Sequence, residues 1–180
     1  MTDAAFEAFV RTHQDMVFAT AVRLLGNVTE AEDVAQTVFL KSFERFHEIG
    51  GSETAAGWLR TVTRNLCLNH LSRYRSRWRL FSELRRTPED DDEEYEPTVV
   101  ANTASPGAAL ESQDRHQQLE QALRRLPNHQ RVPLVLFHFE ESSYQEIAVT
   151  LGISVAKVKT DIHRGREALK KYLAADDGTR

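Results

Sequence analysis

The chain has 180 residues, 41% of them hydrophobic and 28% charged, with 8 Gly and 5 Pro. That composition fits a soluble globular protein of one domain or two small ones and excludes collagenous and wholly disordered chains. Its single cysteine, Cys67, cannot form an internal disulfide and points to a reducing compartment.

No apolar run approaches the roughly 18–20 residues of a membrane span. The opening MTDAAFEAF has neither the basic nor the apolar part of a secretory leader, so the chain reads as cytoplasmic, with no membrane insertion. The formal charge of −4 is unevenly spread: residues 1–86 carry 12 Lys+Arg against 10 Asp+Glu, residues 87–114 carry 0 against 9, and residues 115–180 carry 11 against 8. One acidic segment thus separates two mildly basic pieces.

The first piece reads as helix throughout. Phe6, Phe9, Val10, Met16, Val17, Ala21, Leu24 and Leu25 keep near-3.6 spacing, and Gly26-Asn27 stops that helix. Thr29 and Glu32 match the capping-box pattern for a second helix, whose apolar face is Val34, Ala35, Val38, Phe39, Phe43 and Phe46. A loop from His47 to Thr54 contains Gly50 and Gly51. A third helix follows with Trp58, Leu59, Val62, Leu66 and Leu71 inward, and it becomes strongly basic at Arg73, Arg75, Arg77 and Arg79. No alternating strand pattern occurs.

From Thr87 to Glu111 the chain changes character, with Glu89, Asp90, Asp91, Asp92, Glu93, Glu94 and Glu96 close together and Pro88, Pro97 and Pro106 spread among them. These carboxylates repel one another, and too little apolar surface is present to offset the ordering entropy. The segment is read as a flexible acidic linker, and a length of about 25 residues argues for two domains rather than one.

Beyond it, Leu119, Ala122, Leu123 and Leu126 form one face of a helix halted by Pro127, and Asn128 is placed to cap the next, which carries Val132, Leu134, Val135 and Phe137 or Phe139. Pro133 is read as early in that helix, where one lost donor costs less. Ser143 and Glu146 form a second capping box, opening a short helix from Tyr144 to Leu151. Gly152 ends it, and Ser154 caps a last helix running to about Leu173. The expected architecture is all-α: a helical domain over 1–86, the linker over 87–111, and a second helical domain over 112–175.

Two helices joined by a short Gly-containing turn form the helix-turn-helix pattern. Ala148 is small where the helices cross, Gly152 accepts positive φ, and Val158 plugs the second helix onto the first. With Ile147, Leu151, Ile153, Val158, Ile162 and Leu169 buried, Lys157, Lys159, Thr160, His163, Arg164 and Arg166 lie mostly on the other side, suited to phosphates and base edges in a major groove. A plain helical hairpin with solvated charges is the competing reading. A single such unit would hold DNA poorly, since affinity scales with the phosphates neutralised.

With these residues placed, the chain resembles the extracytoplasmic-function (ECF) branch of sigma-70-type RNA polymerase sigma factors. Glu30 to Lys41 (EAEDVAQTVFLK) is similar to region 2.2, Trp58 to Leu66 (WLRTVTRNL) to regions 2.3 to 2.4, and Ser143 to Leu169, preceded by Leu126-Pro127 and Arg131, to region 4. The resemblance implies a sigma region 2 bundle over 1–86 for polymerase docking, −10 recognition and melting, and a sigma region 4 helix-turn-helix over 112–175 for −35 recognition.

It also implies roles residue by residue. Asp33, Gln36, Phe39 and Lys41 match the surface that docks on the clamp helices of the polymerase β′ subunit, and the β flap is a further contact on the polymerase. By spacing alone, Asp33, Gln36, Thr37 and Lys41 share a polar helix face that a solvated surface fits as well, and Phe39 reads as core. Ile49, Gly50, Gly51, Ser52, Arg60, Arg64, Asn65, Asn69, His70 and Arg73 match the part that captures the unpaired strand of the −10 element. A base leaves the duplex only where a pocket compensates the unstacking. Trp58 reads as core rather than as a stacking platform. Contacts to the −35 element fall on Lys159, Thr160, His163, Arg164 and Arg166. Three positions depart from the family's habit: Lys157 stands for a common Thr, Asp161 for a common basic residue, and Thr37 for a common Glu.

The implied partners are core RNA polymerase, promoter DNA and an anti-sigma factor. No enzymatic activity, cofactor, metal or small-molecule substrate is expected, because the seven histidines lack metal-ligand spacing and no Gly-rich phosphate loop follows a strand. In the family the inter-domain connection threads toward the active-site cleft and RNA exit channel, so the acidic linker fits an RNA mimic and a solubilising tether equally. An autonomous helix-turn-helix regulator is the alternative class, but no dimerisation helix or ligand pocket stands out. The free chain is expected to bind promoter DNA weakly, because two weak heads gain affinity only when held at a fixed separation.

Overall fold

A computed structural model of the chain describes residues 3–82 and 109–177, with side chains at 3–72 and 115–175. The described residues form α1 (Asp3–Leu25), α2 (Val28–Glu44), α3 (Phe46–Ile49), α4 (Ala55–Ser82), α5 (Ala109–Arg125), α6 (Asn128–His138), α7 (Tyr144–Leu151) and α8 (Val155–Asp177), with no strand among them. The acidic segment expected over 87–111 lies outside the described residues except at 109–111, which are the first turn of α5.

Helices α1, α2 and α4 pack as a bundle. Val17, Ala21 and Leu24 of α1, Ala31 and Val38 of α2, and Leu59 and Cys67 of α4 are completely buried in it. Cys67 has its thiol pushed up to about 12, chiefly by burial, so it stays a protonated apolar group. The buried Thr63 hydroxyl donates to the Leu59 carbonyl at 2.7 Å, so this polar group is paired inside the bundle. Gly26 ends α1 at φ +68, and its N–H donates to the Val22 carbonyl at 2.7 Å.

The cap of α2 differs from the expected Thr29–Glu32 box. Asn27, in extended backbone, accepts the Glu30 N–H on its side chain at 3.2 Å. Because Gly26 reverses the chain in one residue, the next polar side chain is already in capping position, and Thr29 falls inside the first turn. The expected loop from His47 is also shorter. Residues 46–49 form the single turn α3, pinned by the Phe46 ring edge-on against Phe6 and Phe9 at 5.2 and 5.4 Å.

In the second half, Pro127 rather than Asn128 is the N-cap residue of α6, without a side-chain cap bond. Pro133 is the sixth of eleven residues, deeper than expected, and α6 continues through it. The buried run Val132 to Leu136 supplies apolar contact that offsets the missing donor. The box at Ser143 forms as expected: the Ser143 hydroxyl accepts from Glu146 N–H at 3.2 Å, and Glu146 Oε2 accepts from Ser143 N–H at 2.7 Å. Gly152 closes α7 at φ +64, and the Ser154 hydroxyl accepts the Lys157 N–H at 3.1 Å to start α8.

The halves pack against each other, α1 on α6 and α5, and their buried apolar residues form one continuous cluster. Among the described residues no helix is long and apolar enough to cross a membrane.

Candidate functional site

The α2 face is solvent-facing. Asp33, Gln36 and Lys41 are exposed, while Phe39 is half-buried against the core. The Thr37 hydroxyl donates to the Asp33 carbonyl at 2.9 Å and is therefore spent within the helix. Beside this face runs a groove between α1 and α2, lined by Phe6, Val10, Phe18, Phe39, Leu40 and Phe43 among others. Phe18, Leu40 and Phe43 are 36%, 68% and 43% exposed, more apolar surface in one place than an ordinary solvated face carries. Sequence reasoning passed over Leu40 and Phe18, although an apolar residue on a polar helix stripe is a readable signal.

The residues expected to take the −10 strand divide. Ile49 is buried, turned into the bundle. A Cβ on Gly50 would overlap the Phe46 ring, so that glycine serves helix packing, whereas Gly51 faces open space. The Ser52 hydroxyl lies 2.7 Å from that of Thr54 and accepts the Thr54 N–H at 3.2 Å, which ties the loop to itself. On α4, Arg60, Asn65 and Asn69 are exposed and Arg64 half-buried. His70 Nε2 lies 3.2 Å from Glu30 Oε2 on α2. Trp58 is half-buried against the core, as its spacing predicts. The side chains of Arg73, Arg75, Arg77 and Arg79 fall outside the described residues.

The helix-turn-helix is built as its residues predict, with Ala148 and Val158 buried at the crossing. Sequence reasoning missed Gly165, which is buried at the crossing of α8 and α6, where a Cβ would lie 2.9 Å from a Leu134 methyl. On α8, Lys159 and Arg164 are exposed and His163 is half-buried. The Thr160 hydroxyl donates to the Ala156 carbonyl at 3.1 Å. Arg166 reaches back to α6, with Nε 3.1 Å from His138 Nε2 and the guanidinium 5.6 Å from the Phe137 ring centre. Desolvation and the Arg166 charge hold His138 below the ordinary histidine range, so it accepts from the arginine as a neutral ring. Asp161 is not a groove-facing carboxylate here: it is 2% exposed and takes Lys157 Nζ at 2.8 Å.

The two expected DNA-reading surfaces converge. Asn65, Asn69 and Ser72 of α4 line a cavity of about 570 Å³ whose other walls include His129 of α6 and Lys157 and Asp161 of α8. Next to α4, Glu140 lies within electrostatic reach of Arg60, Arg64 and Arg23. Burial raises its carboxyl above the usual range, and the three arginines draw it back down. Arg131 of α6 is 3% exposed and donates to the carbonyls of Leu25 and Leu126, each at 2.7 Å. Its guanidinium fills the space a Cβ on Gly26 would need. Arg23 of α1 pairs with Glu120 of α5 at 2.6 Å and lies 4.5 Å over the Phe139 ring.

An all-helical molecule that carries a capped helix-turn-helix beside a second bundle, with basic and amide side chains on both, is of the class of modular DNA-binding proteins. Residues 9–78 match the family described as Sigma-70 region 2, and residues 116–169 the one described as Sigma-70, region 4. The ECF RNA polymerase sigma factor SigW of Bacillus subtilis (strain 168) is 32% identical over 94% of this chain and 89% of its own length. The ECF RNA polymerase sigma factor SigE of Mycolicibacterium smegmatis is 36% identical over 94% of this chain, which spans 62% of that protein. A co-crystal structure of the sigma factor RpoE in complex with the anti-sigma factor NepR from Bartonella quintana aligns over 95% of this chain and 98% of that one, at TM-score 0.49 and 23% identity. The chain belongs to the ECF family of sigma-70-type RNA polymerase sigma factors.

Proposed function

We propose that this sigma factor works as two reading heads on one polymerase-docked chain, divided as 1–86, 87–111 and 112–175. Asp33, Gln36, Phe39 and Lys41 engage the β′ clamp, and region 4 meets the β flap. Arg60, Arg64, Asn65, Asn69, His70 and Arg73, with the loop 49–52, take the −10 element. Lys157, Lys159, Thr160, His163, Arg164 and Arg166 take the −35 element. The protein performs no chemistry of its own, acts in the cytoplasm, and is held in reserve by an anti-sigma factor.

The observation that carries this reading is the open α2 face, with three exposed polar side chains bordering a groove where Leu40 is 68% exposed. A surface of that composition is complementary to a partner helix that is polar at its rim and apolar along its centre. Transcription in vitro with core polymerase on a genomic library tests the assignment. Promoter-specific transcripts that need the chain support it, and their absence overturns it.

A further inference from the structure

Resting on that reading, we propose that Asp161 is a positioning residue of the −35 head: it binds Lys157 so that the lysine meets a base edge as a charge-compensated donor, not a phosphate as a free cation. Asp161 is 2% exposed, beside the buried Val158 and Ile162, and its Oδ1 lies 2.8 Å from Lys157 Nζ. The lysine side chain remains 39% exposed, so the pair has a sealed acidic end and an open basic one. Lys157 is the third residue of α8, and its N–H donates to the Ser154 cap. The first turn of the second helix is the part of a helix-turn-helix that reaches base edges.

Helix stability does not account for the pair. A lysine four residues before an acid is the less favourable order, and a cation in the first turn opposes the helix dipole. Burying the carboxylate costs desolvation that the ion pair at best offsets. His129 shares the cavity wall with both residues and is held below the ordinary histidine range chiefly by burial, so it brings no second cation to Asp161 at neutral pH. What the arrangement fixes is the state of Lys157. One of its three donors goes to Asp161, and the others point elsewhere. A phosphate oxygen on one of these would lie about 5 Å from the Asp161 carboxylate, and repulsion between the two anions would cancel most of the attraction. A guanine O6 or N7 acceptor is neutral and meets no such repulsion. The exposed Lys159, by contrast, suits a phosphate.

Holoenzyme assembled from the full-length chain and core polymerase tests this on a fluorescein-labelled promoter duplex from the transcription assay, with each −35 base pair exchanged in turn and the salt varied. Lys157→Met is expected to reduce discrimination at one −35 base pair by about fivefold or more, while the slope of log affinity against log salt stays that of wild type. Asp161→Asn keeps the shape without the charge and is expected to free the lysine. The slope then steepens by about 0.9, one further phosphate, and discrimination at the same base pair falls. The double variant should return the slope to the wild-type value. Lys157→Met leaves a buried carboxylate without its cation, so far-UV circular dichroism accompanies each variant. If that variant unfolds, the contrast between Asp161→Asn and the double variant still separates a freed lysine from a purely structural pair. A structural pair predicts wild-type slope and discrimination throughout, and a phosphate-bound Lys157 predicts uniform weakening by Lys157→Met with the slope flattened by about 0.9. Either result overturns the proposal. Absence of promoter-specific transcripts would overturn the promoter reading and this inference with it, whereas transcripts together with either of those results would overturn this inference alone.

Discussion

The face of α2 and the faces of α4 and α8 are all polar helix surfaces, yet the molecule treats them in opposite ways. On α2 the polar side chains look into solvent and border exposed apolar groups, Leu40 and Phe43 among them. Between α4 and α8 some of them share a cavity, Asn65 and Asn69 with Lys157 and the buried Asp161 that Lys157 pairs with, while Arg60, Lys159 and Arg164 stay exposed. The α2 face, proposed to dock on polymerase, is left open to solvent.

Five substitutions would break or sharpen this contrast. The largest effect is expected for Asp33→Lys, which reverses a charge on the open face: retention of core polymerase in a pull-down should be lost, with far-UV circular dichroism unchanged. Loss of helicity would instead mean that Asp33 holds the bundle together.

Next come two glycines with the same backbone and different surroundings. Gly26 and Gly152 have φ +68 and +64, but a Cβ at Gly26 would meet the Arg131 guanidinium, whereas nothing lies within 4 Å at Gly152. Gly152→Ala should cost about 1–2 kcal/mol, the left-handed penalty alone. Gly26→Ala should cost about 2 kcal/mol more, because it also displaces charge-assisted bonds to carbonyls. Equal losses in chemical denaturation would show that Arg131 contributes little to joining the halves.

A smaller effect is confined to the helix-turn-helix. Ser143→Ala removes the cap of α7 and should lower stability by about 1 kcal/mol. Bonds from the Ser143 N–H and hydroxyl hold the Glu146 carboxyl below its ordinary value. The stability this adds is present above the ordinary carboxylate pKa and disappears as pH falls through the lowered one. Thermal melts between about pH 5 and pH 2 should therefore decline more steeply for wild type than for Ser143→Ala. The smallest change is Glu141→Gly. Glu141 is exposed at φ +54 between α6 and α7, and glycine there should gain no more than about 1 kcal/mol, without moving either reading face.

What could be read from the residue order, and what could not, follows from range. The Ser143–Glu146 box, the Gly26 and Gly152 stops and the burial of Val158 are all legible, since each is settled within one turn of helix or one short helical hairpin. Where two local signals competed, the reading slipped: Asn27 and Thr29 are both acceptable caps, and the reversal at Gly26 decided between them. At Pro133 the local rule against a mid-helix proline was overridden by burial on α6.

Composition and periodicity by themselves determined an all-helical chain with basic heads around an acidic stretch, because helix-forming patterns and charge repulsion act over a few residues. Only tertiary structure decided that Arg131 ends a helix 106 positions away, that Asp161 is hidden, and that Glu140 comes within electrostatic reach of Arg60 and Arg64. Those outcomes depend on which surfaces meet when α1 packs on α6, and an encounter between distant segments leaves no periodic trace in either one.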